Sequence, residues 1–340
     1  MSELLSLNTL YFIFPLIIAS MVPLTMVAMG ALYSERSGVV NIALEGIMVM
    51  GGFVGVMVIR YLEFTFVEQG WFIDPMSDYV SNTGLAIIAI IGLFIGALAG
   101  MAFSFFHAFA SIRMKSNQII SATALNLFAP ALAVFVARTL YLTRRVVISG
   151  NYRLREIPGF SNIPFIGDLL FKRAYVSTYI SIALFVILTL ILYKTRLGLR
   201  IRSCGENPHA ADSLGVNVAK IRYIGVLVSG AMAGMGGVIF VLSFATRFDG
   251  TVIGFGFLSL AVLIFGQWRP ARILFAAFFF AMMRVIASTY SSLPVIQDLP
   301  MPRQIYSMLP YIATLVVLAF VSKRSQAPRA AGEPYDAGKR

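Results

Sequence analysis

The chain has 340 residues, 59% of them hydrophobic and only 12% charged, with a net charge of +12. Soluble domains run near a quarter charged, so an ordinary water-soluble domain is excluded. With two histidines and one cysteine, Cys204, an intrachain disulfide is impossible and a His/Cys metal cluster lacks ligands. The basic residues sit in loops between apolar runs, which fits headgroup attraction and a positive-inside bias better than nucleic-acid binding.

Several uncharged runs exceed the roughly 18 residues that mark a membrane-spanning helix, so the chain reads as an all-α polytopic membrane protein. The first residues lack the basic region of a cleavable signal, so the first apolar run is expected to be retained. Leu10–Tyr33 is the first expected span, with Pro15 and Pro23 as kink sites. A polar break, Ser34–Gly38, leads to Val39–Ile59, apolar except for Asn41 and Glu45. Arg60–Asn82 is hydrophilic and acidic; Thr83–Ile112 and Ser116–Ala137 are the third and fourth spans. Arg138–Arg173 is a loop, and Ala174–Tyr193 is the fifth span.

Tyr193–Tyr223 is a polar, basic stretch between two apolar runs. Its centre predicts one short helix, with Asn207 as N-cap, Pro208 at the first position and Gly215 just past the end. It is either a docking element or a loop lying on headgroups. Tyr223–Thr246 is a glycine-rich sixth span, and Gly250–Trp268 a seventh segment entered through a turn at Gly254-Phe255-Gly256. Ile273–Tyr290, carrying Arg284, and Gln304–Ser322 complete about nine spans, within a range of eight to ten. A transmembrane unit over 1–322, containing the loop 193–223, is thus followed by a basic tail, 323–340, expected to be disordered. Leu10–Ile59 and Tyr223–Trp268 share one plan: a span, a glycine-containing break, then a small-residue helix. That points to an internal repeat with broken or re-entrant segments.

Charge sets the orientation. With the 193–223 loop cytoplasmic, Arg113, Lys115, Arg269, Arg272 and the tail fall on the same side, and the acidic Arg60–Asn82 falls outside. Arg138–Arg173, with seven basic residues, then lies outside against the rule.

Ionisable residues inside membrane spans are functional candidates by default. Glu45 can line a polar path, cap a broken helix, be satisfied by backbone donors, or pair with a base such as Arg36. Arg284 lies 12 residues from Arg272, roughly 18 Å along a helix, where it can snorkel to the interface. Asn41 and Asn126 are candidates for a solute path or for hydrogen bonds between helices. His107 and His209 read as structural or solvated. No glycine loop ending in Gly-Lys-Ser/Thr, no Gly-x-Ser-x-Gly and no His-Glu-x-x-His element is present, so the chain does not itself bind ATP in that manner and nothing supports a hydrolytic enzyme.

Three segments together resemble the permease subunits of bacterial ABC importers of the branched-chain amino acid, ribose and nucleoside type. They are Ser34-Glu35-Arg36-Ser37-Gly38 through Glu45-Gly46; Gly198-Leu199-Arg200-Ile201-Arg202 with Gly205-Glu206-Asn207-Pro208, Ala210-Ala211 and Gly215; and Gly254-Phe255-Gly256-Phe257 with Gly266-Gln267-Trp268-Arg269-Pro270. The first motif is closest to the nucleoside and simple-sugar branch, and the chain resembles the shorter of two unlike permeases there. The resemblance implies a multi-pass protein of the bacterial inner membrane with a cytoplasmic C-terminus. It implies three partners: a cytoplasmic ABC ATPase, a second, non-identical permease and an extracytoplasmic solute-binding protein. It implies no cofactor in this chain, with ATP used by the ATPase. Gly205, Glu206, Asn207, Pro208, Ala210, Ala211, Asp212 and Gly215 are then the coupling element that docks in the ATPase. The implied solute is a nucleoside; a simple sugar, a riboflavin-like solute or a branched-chain amino acid are alternatives, as is an ion-coupled secondary transporter.

Overall fold

A computed structural model describes residues 7–73, 80–153, 167, 174–245, 247–289, 302–321 and 326–336. Long helices dominate because uninterrupted apolar runs in lipid must satisfy their own backbone groups. They are α1 (Leu7–Arg36), α2 (Leu44–Glu68), α3 (Asn82–Ala108, continued by a wider turn to Arg113), α4 (Gln118–Tyr141), α5 (Val176–Lys194), α8 (Val218–Phe240), α10 (Pro270–Thr289) and α11 (Arg303–Val321). Seven of these are long and apolar enough to cross a membrane; α11 has 19 residues and an internal Pro310.

Three short helices complete the set. The polar loop holds α6 (Arg196–Glu206) and α7 (Pro208–Ser213). The expectation of a single helix there is corrected: Thr195 caps a further amphipathic helix by accepting from the Gly198 amide. The seventh expected segment is α9 (Phe255–Phe265), whose 11 residues cover about 16 Å, half of a bilayer core of about 30 Å. The second span likewise starts late, at Leu44. Residues 37–43 form a non-helical re-entrant junction that turns at Gly38, φ +98°.

The element order gives two faces. Arg36, Lys115, α6, α7, Trp268 and the tail gather on one, here the loop face. On the other, β1 (Val146–Val147) pairs antiparallel with β2 (Arg247–Phe248), and the Glu63 carboxylate accepts from the amides of Ser149 and Gly150. Burial and the neighbouring Glu63 carboxylate push the Tyr152 phenol up, so it stays protonated as the donor to Glu63. Asp74, Asp78 and most of the seven-base loop lie outside the described residues.

The core is the bundle of α1, α2, α3 and α8. Its backbones approach closely through glycines. A Cβ on Gly100 would sit 2.7 Å from the Gly234 Cα, and one on Gly52 would sit 3.1 Å from the Gly237 carbonyl carbon. Without a hydrophobic drive between helices in lipid, such small-residue contacts let dispersion forces hold them.

The tail departs from expectation. Residues 326–336 are packed on the loop face rather than disordered. The Ala330 amide donates to the Gly205 carbonyl and the Gly332 amide to the Gly38 carbonyl. The Gln326 amide donates to Gln267 Oε1, and the buried Arg222 donates to the Glu333 carbonyl at 2.8 Å. Composition predicts disorder because the segment has little apolar surface; it is ordered by backbone acceptors at the end of α6 and in the 37–43 junction.

Candidate functional site

Two features stand out. The first is the loop face. Asn207 ends α6 and starts α7, with its side-chain oxygen accepting from the Ala210 amide at 3.0 Å. Pro208 occupies the first helical position, where no amide is required. The helix closes through Val216 N to Ala211 O, and Gly215 turns the chain with φ +80°. His209, Ala210 and Leu214 are exposed, with Leu214 85% accessible, whereas Ala211 is buried. Glu206 pairs with Arg36 at 3.2 Å, so Arg36 is not the partner of Glu45. Arg36 also donates to the Trp268 carbonyl, while Trp268 Nε1 donates to Glu35 at 2.6 Å. The three sequence motifs are therefore one hydrogen-bonded cluster at the foot of α7. Sequence reasoning missed the Glu35–Trp268 link, because their separation of 233 positions leaves no local pattern. Cys204 is on the buried face of α6, and burial pushes its thiol up, with Arg222 opposing.

The second feature is the pair of broken helices. Glu45, in the first turn of α2, accepts from the Gly254 amide at 2.9 Å and the Gly256 amide at 2.8 Å. Gly254 has φ +77°, which aims its N–H and the first amides of α9 at the carboxylate. The helix thus begins inside the bundle with its free amides satisfied. Asn126 accepts from the Gly46 amide and donates to the Ile42 carbonyl. Asn41 donates to Ser229 Oγ and accepts from the Ala43 amide. His107 spans Val40 O at 3.1 Å and Ser121 Oγ at 3.0 Å. The carbonyl can only accept, so Nε2 carries the proton. Asn41, Glu45 and Asn126 thus come together at one place, each with hydrogen bonds inside the chain.

Arg284 does not snorkel. Its guanidinium lies 4.2 Å from the Phe255 ring centroid at the start of α9 and lines a cleft among α9, α10 and α11. Among the described residues no group of three or more His, Cys, Asp or Glu could hold a metal ion.

The two halves are related by inversion. α1 runs toward the loop face, the 37–43 junction re-enters, and α2 runs back. α8 runs away from the loop face, the 247–254 stretch re-enters, and α9 returns. α1 packs on α9 as α8 packs on α2. Inverted repeats with interrupted helices at their interface are a transporter architecture.

The sequence comparisons agree with this architecture. A family model described as "Branched-chain amino acid transport system / permease component" matches residues 13–318. The nucleoside ABC transporter permease protein NupC of Lactococcus lactis is 36% identical over 96% of this chain and 98% of its own length. The guanosine ABC transporter permease protein NupQ of Bacillus subtilis is 38% identical, covering 94% of each chain. The putative glucose ABC transporter permease protein TsgC13 of Haloferax volcanii is 30% identical over 91% of each. No solved structure matches significantly. With its inverted broken-helix halves and a family match over nearly all of its spans, the chain belongs to the permease-component family of branched-chain amino acid transport systems.

Proposed function

We propose that the chain is one permease of a nucleoside ABC importer. The observation that carries this reading is α7: a capped, exposed helix on the loop face, tied through Glu206, Arg36 and Trp268 to both broken-helix halves. A force on α7 is thereby delivered to α1 and to the end of α9. Gly205, Glu206, Asn207, Pro208, Ala210, Ala211, Asp212 and Gly215 form the element that docks in a cytoplasmic ABC ATPase. ATP is consumed there and not in this chain. Arg113, Lys115, Arg200, Arg202, Arg269 and Arg272 on the loop face support its cytoplasmic placement, in the inner membrane of a bacterium. The opposite face then receives solute from an extracytoplasmic binding protein, and a second, non-identical permease completes the path. Glu45, Asn41 and Asn126 hold the broken helices in place along that path. The two most similar relatives reported above carry nucleoside or guanosine in their names, which supports the choice of solute.

The test is reconstitution in proteoliposomes with the ATPase, second permease and binding protein. Radiolabelled nucleoside uptake that requires ATP hydrolysis is expected. Uptake by this chain alone, driven by a proton or sodium gradient, overturns the reading.

A further inference from the structure

Arg284 sits 14 residues into α10, about 21 Å from its start at Pro270. At that depth a guanidinium facing hydrocarbon is costly, and such groups face protein or a water-filled cavity instead. Among the described residues it makes no direct hydrogen bond or close ion pair; the Phe255 ring lies under its face, and Glu45 and Tyr311 act on it electrostatically. The acid closest in role, Glu45, has both oxygens engaged by the amides that start α9. The donors of Arg284 therefore remain available, and the side chain lines a cleft of about 450 Å³. Phe257 of α9 and Tyr311 and Thr314 of α11 line it too. Thr314 donates to the Pro310 carbonyl, so its hydroxyl hydrogen is used within α11.

The chemistry of this cleft is narrow. Among the described lining residues, one fixed cation offers a fork of donors, two aromatic rings offer apolar faces, and there is no carboxylate. The volume falls within the range of roughly 300–1,000 Å³ typical of small-molecule sites. A planar, uncharged ring with two adjacent acceptors satisfies the donors of the fork, while the Glu45 carboxylate acts on the guanidinium charge. The O6/N7 edge of a 6-oxopurine has that pattern, and an arginine fork reads it bidentately. Adenine places an amino donor where O6 would be, opposite a group that can only donate.

We infer that this cleft is a solute station on the transport path, in which Arg284 grips the acceptor edge of a 6-oxopurine nucleoside between Phe257 and Tyr311. The inference rests on the nucleoside-importer reading above and adds where the solute pauses and which base is preferred. The orientation of the fork comes from Phe255 and, through α9, from Glu45. The broken helix is thus the platform that aims the cation.

The experiment compares maximal ATP-driven uptake of radiolabelled guanosine and adenosine by the full reconstituted complex. Each solute is supplied at a binding-protein concentration high enough that capture is not limiting. Failure of the wild-type complex to transport either nucleoside removes the importer reading itself. With wild-type transport in hand, guanosine should be favoured, and Arg284→Ala should lower the guanosine-to-adenosine ratio about tenfold. Arg284→Lys, which keeps charge but loses the fork, should lower it as well. An unchanged ratio in an Arg284→Ala complex that still co-purifies with the ATPase overturns the station. Should Arg284→Ala fail to assemble, Thr314→Trp fills the cleft from α11 without touching the cation. Uptake must then fall for both nucleosides, and wild-type rates would overturn the station equally.

Discussion

The junction between α1 and α2 and the junction between α8 and α9 interrupt related helix pairs and are finished differently. The first is stitched shut by uncharged groups. Asn41, Asn126, Gln118 and His107 turn inward onto the backbone at positions 40–46, and the polar atoms of Asn41 and His107 are buried. The second is held by one carboxylate at its mouth and opens onto a cleft lined by Arg284. A closed junction gives a fixed hinge point, and an open one gives room for solute. One plan thus yields two roles, set by whether the polar side chains at the break face their own backbone or a cavity.

The largest effect is expected where the loop face drives both junctions. The Ala211 amide donates to the Asn207 carbonyl, and proline there removes that bond and clashes with the preceding turn, at a cost of about 3 kcal/mol. Ala211→Pro should leave the permease in the membrane and abolish ATP-driven uptake, as read by co-purification of the ATPase and by transport. Retained coupling would show that α7 is not the driver.

Next comes the open junction. Glu45→Ala strips two amides of a charged acceptor, and bonds to charged groups contribute about 1.5–3 kcal/mol each. A thermal unfolding midpoint in detergent lower than wild type by several degrees is expected. Glu45→Gln, which keeps a single acceptor oxygen, should fall between the two. A smaller loss, about 1–2 kcal/mol, is expected for Asn126→Ala in the closed junction, where the Gly46 amide and Ile42 carbonyl lose neutral partners. If Asn126→Ala costs more than Glu45→Ala, the charged acceptor is not what holds the start of α9.

The smallest effect marks the edge of the comparison. Lys115 and Asp336 pair at 3.0 Å with side chains 46% and 40% accessible. Exposed pairs contribute about 0–1 kcal/mol, so Lys115→Ala should leave the unfolding midpoint within a degree or so.

Much of this arrangement was legible in the sequence. The long apolar runs at Leu10–Tyr33 and Thr83–Ile112 announce α1 and α3, since lipid leaves helices few alternatives. Asn207, Pro208 and Gly215 announce α7, since capping is local chemistry. The break at Gly254 was visible because a glycine doublet around Phe255 inside an apolar run has no helical purpose. The family resemblance carried by the three motifs is matched by the comparisons.

What escaped is long-range. The second helix of the loop, α6, was hidden because its arginines read as a solvated stretch rather than as the outer face of an amphipathic helix. The order of residues 326–336 depends on carbonyls contributed by Gly38 and Gly205, distant in sequence. Arg284 read as snorkelling because only three dimensions place the Phe255 ring beneath it and α11 beside it.

The contrast between a closed and an open junction is tested most directly by single-cysteine accessibility. On a Cys204→Ser background, Ala43→Cys and Thr314→Cys complexes in proteoliposomes would be exposed to a small hydrophilic maleimide. Thr314→Cys should react and be protected by guanosine, and Ala43→Cys should stay unreacted. A Thr314→Cys protein that reacts with a lipid-soluble reagent alone, with no protection by nucleoside, would place the cleft against lipid and contradict the account.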